Sequence, residues 1–562
     1  MFSLHRCAWR TGLVAAAVSI PLGLLPSVAT AAETDLASGS DWTVTRSAGG
    51  YLVTVDLDTP LPIKSDAPTI EVDGTPIGIA TESADGTSLS VFTTDASVVD
   101  ADDAEAGWFS TPSADGSAKK SSARRAEVAP AAAKVLAANP AAIGSYKFTE
   151  SVYNFGAQSV PLAAIGGIRG ELQGKMYLPT TGGARPTVVL LHGRHTSCSL
   201  AVAGTGAQFP ANPDRWPCAP GYLNIPSFAG YDGTARALAS QGYAVVSIAA
   251  NAINSNDNQL ALDQGAQARG QLLLDTLTML DKANKGEPVS YFDAQKGVEV
   301  SLDDALADQS ALPGLASSEA TTSIRPAGLV GKFDLSTIGM MGHSRGGEGV
   351  TSAATLNQGL DKPWGIKSIL PLAPVDFARM TVPDIPMNVI LPYCDGDVSN
   401  QQGQHMLDDS RYAFDDDALR SGVWAMGANH NFFNSVWTPG VYNFSSSDDW
   451  SGANPRDTTC GTDSTVAATS IRMTAKEQYD TGTAYMAGWF RLTLGGEKQF
   501  LPMFDGSGAV PAILNGEDVR SVSTAPSSAR KTVATFEATS SLIRSQGTAT
   551  ATVCASAAGR TV

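Results

Sequence analysis

From about residue 145 to 505 the chain alternates short, unbroken apolar runs with longer stretches of helical period. Val188-Val189-Leu190-Leu191, Ala244–Ile248, Thr337–Met341, Ile369–Leu372 and Met387–Leu391 are too short for helices. They are apolar at consecutive rather than alternate positions, which predicts strands buried on both faces. Between them lie Tyr231–Gln241, which stops at Gly242, Ala266–Leu280, with Leu273, Leu277 and Leu280 on one face, and the small-residue-rich Gly346–Leu356. Thr474–Leu492 reads as a last long helix. Buried strands separated by helices predict an α/β fold, with a mostly parallel central sheet flanked by helices.

The flanking segments follow other patterns. In residues 33–110 apolar positions alternate: Trp42 and Val44, then Tyr51, Val53 and Val55, then Ile70 and Val72, then Leu89 and Val91. Gly49-Gly50, Asp73-Gly74 and Asp85-Gly86 fall between these runs, so the segment reads as a small N-terminal β module of hairpins. Residues 111–144 are rich in Ala, Ser, Lys and Arg and read as a flexible linker. Arg124-Arg125 is a candidate processing site within it, against the simpler reading of a plain linker. Residues 506–562 form a short C-terminal β extension, with strand-like alternation at Thr532–Phe536 and Thr548–Val553.

The first 31 residues read as a secretory signal peptide. Arg6 and Arg10 precede an apolar stretch from Gly12 to Leu25, and Ala29-Thr30-Ala31 provides a cleavage pattern. Pro21 and Pro26 break the stretch, which argues against a stable membrane span. The chain is expected to be secreted. Its net charge of −17 becomes −19 without the two leader arginines, which argues against nucleic acid as a partner. Five cysteines remain: Cys198, Cys218, Cys394, Cys460 and Cys554. None has metal-site spacing, and neither a metal nor a cofactor is expected. Cys198 and Cys218 bracket a Pro-rich loop, and Cys394 and Cys460 flank the segments that hold the candidate acid and base described below, so these are the two expected disulfides.

Gly342-His343-Ser344-Arg345-Gly346 matches G-x-S-x-G. The pattern gains its weight from context, because an apolar strand runs into it and a small-residue helix follows. With Gly347, it resembles the nucleophile elbow of the α/β-hydrolases. Within them it is similar to the branch of dienelactone-hydrolase-like, polyester-hydrolase-like and chlorophyllase-like esterases. The resemblance spans about 145–500, including Val188–Gly193 and Gly242–Ile248. It implies the α/β-hydrolase fold and a Ser-acid-His triad in that chain order.

Ser344 is then the nucleophile, and a serine hydroxyl needs a base. Of the five histidines outside the leader, only His405 and His430 lie downstream of Ser344. His405 sits in a polar, helix-like stretch, Gln401–Ser410, and reads as a surface residue. His430, in Gly427-Ala428-Asn429-His430 after strand-like Val423-Trp424, is the expected base. The acid belongs after Met387–Leu391, in Pro392-Tyr393-Cys394-Asp395-Gly396-Asp397-Val398. Asp397 is preferred, with Asp395 its near rival and Asp376 a third candidate. By the same resemblance, the main-chain N–H groups of Arg194 and Arg345 form the oxyanion hole. The Arg345 side chain is expected to pair with an acid such as Glu348, and His192 and His343 to be structural. Tyr393, Phe432, Phe433 and Trp437 either line an aromatic cleft or belong to the core.

The expected activity is hydrolysis of small-molecule or polymeric carboxylic esters. The alternatives are a peptidase or amidase of the same fold, or a surface protein whose hydrolase domain is inert. The N-terminal module is the candidate contact for cell wall or polysaccharide.

Overall fold

The computed structural model of the protein describes residues 35–110, 134–202, 206–208, 215–312, 324–440, 448–450, 455–463, 465 and 470–531. The leader, the Arg124-Arg125 site, Cys554 and the two strands expected after residue 531 lie outside the described residues.

The N-terminal module contains β1 (Trp42–Ser47), β2 (Gly50–Asp56), β3 (Pro68–Val72), β4 (Thr75–Ile79), β5 (Ser88–Thr93) and β6 (Ala104–Trp108). In one sheet β2 lies between β1 and β5, extended at its edges by Ala37–Ser38 and Thr81–Glu82. In the other, β3 lies between β4 and β6. Alternate residues point inward and make a core of their own from Trp42, Val44, Val53, Val55, Ile70, Leu89 and Val91. The expected turn at Asp73-Gly74 joins β3 to β4, with positive φ at both residues, 50° and 75°.

The remaining chain is built on a nine-stranded mixed sheet. Its strands are β7 (Phe148–Asn154), β8 (Gln173–Pro179), β9 (Arg185–Leu191), β10 (Ala244–Ile248), β11 (Phe333–His343), β12 (Ile366–Leu372), β13 (Met387–Pro392), β14 (Arg420–Ala425) and β15 (Val519–Thr524). The spatial order is β7-β8-β10-β9-β11-β12-β13-β14-β15. The six strands from β10 to β14 in that order are mutually parallel. β7, β8 and β15 pair antiparallel at the two ends.

Helices α1 (Asp232–Ser240), α2 (Ala266–Lys285), α3 (Arg345–Gln358), α4 (Gly403–Ala413) and α5 (Ala475–Thr493) cover the sheet. Successive strand residues feed opposite faces. Val188, Leu190 and Met341 pack with α1 and α5, whereas Val189, Leu191 and Met340 pack with α2, α3 and α4. This two-sided burial explains why the strands read as unbroken apolar runs. A capping box between Thr474 and Glu477 starts α5, and Gly286, with φ 72°, ends α2.

Two segments differ from expectation. The end of the expected linker is built into this body: Lys134–Leu136 pairs with Ala509–Pro511, and Arg491 donates to the Pro140 carbonyl at 2.9 Å. The C-terminal extension supplies β15, a full edge strand of the main sheet. Both disulfides are present, Cys198–Cys218 and Cys394–Cys460. Among the described residues no helix is long and apolar enough to cross a membrane.

Candidate active site

The chain leaves β9 in one direction to form β10 and returns to the other side of β9 to form β11. The strand order therefore reverses between β9 and β11, and the loops leaving their C-terminal ends diverge to open a crevice. His192-Gly193-Arg194 follows β9, and Ser344 follows β11.

Ser344 has φ 61° and ψ −126°, a conformation that L-residues rarely adopt. The turn from β11 into α3 forces it. A Cβ at Gly342 would lie 1.9 Å from the Gly346 carbonyl oxygen, so the backbone folds back on itself only with glycine there. Gly193 is constrained from the other side, because its Cβ would stand 2.3 Å from that of Ser344. This contact brings the main chain of the β9 loop alongside Ser344, and Arg345 opens α3 directly after it. Arg194 and Arg345, the two residues expected to supply main-chain donors, are therefore the chain neighbours of Gly193 and Ser344 at this contact.

His430, after β14, turns Nδ1 to Asp395 Oδ2 at 2.9 Å. Asp395 is held in turn by the N–H groups of Asp397 at 2.9 Å and Val398 at 2.6 Å. Asp395, not the expected Asp397, therefore meets His430 Nδ1, on the side where a partner fixes the tautomer of the ring. Asp397 lies on the opposite side, 3.7 Å from His430 Nε2, and accepts the Ser65 N–H at 3.0 and 3.1 Å. Asp376 lies apart, accepting from Met380 at 3.0 Å and standing 3.9 Å from His405. Burial lowers the basicity of His430, but the Asp395 and Asp397 carboxylates outweigh it and raise its pKa to about 9.

The hydroxyl of Ser344 donates to the hydroxyl of Ser65, which itself stands 3.3 Å from His430 Nε2. Ser65 belongs to the N-terminal module, and nothing in the local period of the sequence marks it. Ser65, Ser344 and His430 are all buried.

The Arg345 side chain pairs with an acid as expected, but the acid is Asp257 rather than Glu348. Arg345 and Arg194 both reach Asp257, at 3.0 and 3.1 Å, together with Arg269 at 2.7 Å. Burial pushes the Asp257 carboxyl up, but the three guanidiniums overcome this and hold its pKa at about 2. Glu348 instead accepts the Ala378 N–H at 2.6 Å, and burial raises its pKa to about 8.

The neighbouring histidines are structural, as expected. His192 Nε2 accepts the Ala250 N–H at 2.9 Å, so Nδ1 donates to the Gly193 carbonyl at 2.8 Å. His343 Nδ1 accepts from Tyr231, and Nε2 donates to the His430 carbonyl at 3.0 Å, which anchors the loop that carries His430. Phe433 and Trp437 pack on His343 and are buried, so they are core, whereas Tyr393 is exposed. Asp449 braces the two loops by accepting from Gly396 at 2.6 Å and from His430 N–H at 3.3 Å. No known protein-family model matches the chain, and no curated protein is similar enough to match it.

Proposed function

We propose that the protein is a secreted serine hydrolase of the α/β-hydrolase fold that cleaves carboxylic esters. One observation carries the reading. A strained serine between a parallel strand and a helix shares a buried site with a histidine whose far nitrogen meets a carboxylate. Ser344, Asp395 and His430 follow β11, β13 and β14, in the chain order of that fold. Ser344 attacks the ester carbonyl and His430 takes its proton. Asp395 holds the imidazole and stabilises its cation, and the Arg194 and Arg345 amides receive the oxyanion. The alcohol leaves with the proton from His430, and water then cleaves the acyl-enzyme by the same route. Two disulfides support an oxidising compartment.

The peptidase alternative has one observation in its favour, since a main-chain segment, Lys64–Asp66, lies in the cleft. Against it, a side-chain hydroxyl rather than a peptide carbonyl faces Ser344. Turnover of p-nitrophenyl esters compared with fluorogenic peptides tests the assignment. Ester turnover abolished by Ser344→Ala is expected. Faster peptide turnover would transfer the protein to the peptidases, and absence of both even with the Lys64–Asp66 segment displaced from the cleft would overturn the hydrolase reading.

A further inference from the structure

The N-terminal module reaches the catalytic serine through one segment, and the cleft grips that segment by its main chain. Arg345 Nε donates to the Ser65 carbonyl at 2.9 Å and Nη2 to the Asp66 carbonyl at 3.0 Å. Arg194 Nη1 donates to the Lys64 carbonyl at 3.3 Å, and Asp397 accepts the Ser65 N–H. Three consecutive carbonyls and one amide are thus held by groups of the catalytic body. The two guanidiniums are themselves aimed by Asp257. The Ser65 hydroxyl then stands between Ser344 Oγ and His430 Nε2, where a water that attacks the acyl-enzyme would have to stand.

The rest of the contact has the character of a separable interface. Module and catalytic body have separate apolar cores. Around the segment the contacts are polar: Glu82 accepts from Asn258 and Gln259, each at 3.3 Å, and Gln402 donates to Ser110. Polar contacts between bodies with separate cores can part without exposing either core.

We infer that the N-terminal module is an intramolecular inhibitor: Lys64-Ser65-Asp66 fills the substrate cleft and must leave before an ester reaches Ser344. The inference rests on the serine-hydrolase reading. It gives Asp397 and the side chains of Arg194 and Arg345 the task of holding a main chain.

The test uses the full chain and follows a fluorophosphonate adduct on Ser344 by mass spectrometry, with amide exchange of residues 62–68 measured in parallel. Ser65→Trp cannot fit in the filled cleft, and Glu82→Lys loosens the module at a distance from the triad. The expected result is slow labelling and protected 62–68 amides in the wild type. At least tenfold faster labelling is expected in Ser65→Trp and a severalfold gain in Glu82→Lys, each with faster exchange of 62–68. Ser65→Ala, which removes the hydroxyl but keeps the gripped main chain, is expected to label no more slowly than wild type. Wild-type labelling as fast as that of a variant whose 62–68 amides have become exposed would overturn the inhibitor while leaving the hydrolase standing. A tenfold loss in Ser65→Ala would also overturn it, by making Ser65 a proton relay. No adduct in any variant, with 62–68 exposed in at least one, would overturn the hydrolase reading and the inhibitor with it.

Discussion

At the residue scale, the two carboxylates on either side of His430 divide the work. Asp395 meets Nδ1 and is itself held by two amides, whereas Asp397 faces Nε2 and binds the module. Asp395→Asn is therefore expected to lower ester turnover by about 10⁴-fold, because the amide favours the wrong tautomer. Asp397→Asn is expected to change it far less. Equal losses in the two variants would reject the assignment. Titration of His430 gives a second outcome. Its folded pKa of about 9 exceeds the ordinary value of 6.5. The protonated ring paired with Asp395 and Asp397 thus adds stability that is complete below about pH 6.5 and lost as pH rises through about 9. The shift corresponds to roughly 3 kcal/mol. Urea unfolding across that window is expected to show falling stability in wild type and a flatter profile in His430→Gln. Labelling of Ser344, which needs the neutral ring, is expected to rise over the same window. The sequence left Asp395 and Asp397 as rivals for a physical reason. They are two residues apart in one loop, and only the path of the backbone decides which carboxylate meets the ring.

At the element scale, the strand-turn-helix unit around Ser344 carries strain that the sequence announces. Gly342 is crowded by the turn itself, Gly346 by the His192 carbonyl and Gly347 by Pro374, and that lack of room is why the motif was legible from residues alone. Ser344→Gly relieves the positive φ, whereas Ser344→Ala keeps it. Ser344→Gly is expected to be more stable than Ser344→Ala by about 1 kcal/mol, read as the difference in urea midpoints. A Gly variant no more stable than the Ala variant would show that the strain is absent. The central strands and long helices were legible for a related reason: burial on both faces makes a strand uniformly apolar, and a helix buried on one face repeats with its own turn. Edge elements were harder to read. β7 and β8 carry buried polar residues such as Ser151, Asn154, Gln173 and Lys175, which break the apolar run. β15 lies at the sheet edge, with only one of its six residues buried. The contact of Ser65 with Asp397 spans 332 positions, and no local period encodes it.

At the scale of the whole molecule, Ser344, Asp395 and His430 are brought together from segments that the chain separates widely, so cross-links have unequal consequences. Cys394 immediately precedes Asp395, and Cys460 lies on the return path from the His430 loop to α5. Their bond closes a separation of 66 residues that contains α4, β14 and His430. Cys198–Cys218 closes only 20 residues, in the loop after β9. The entropy removed from the unfolded chain grows slowly with loop length, giving about 4 kcal/mol for the first bond and about 3 kcal/mol for the second. On stability alone the two are nearly equal. The expected effect on activity separates them, because only the first ties the Asp395 loop to the segment that follows the His430 loop. The double replacement Cys394→Ser with Cys460→Ser is expected to lower ester turnover at least tenfold at temperatures where the protein is still folded. Cys198→Ser with Cys218→Ser is expected to lower the unfolding temperature by a similar amount but to change turnover less. Equal turnover in the two double variants, at matched folded fractions, would show that the Asp395–His430 pair is held by the sheet and by Asp449 without the cross-link.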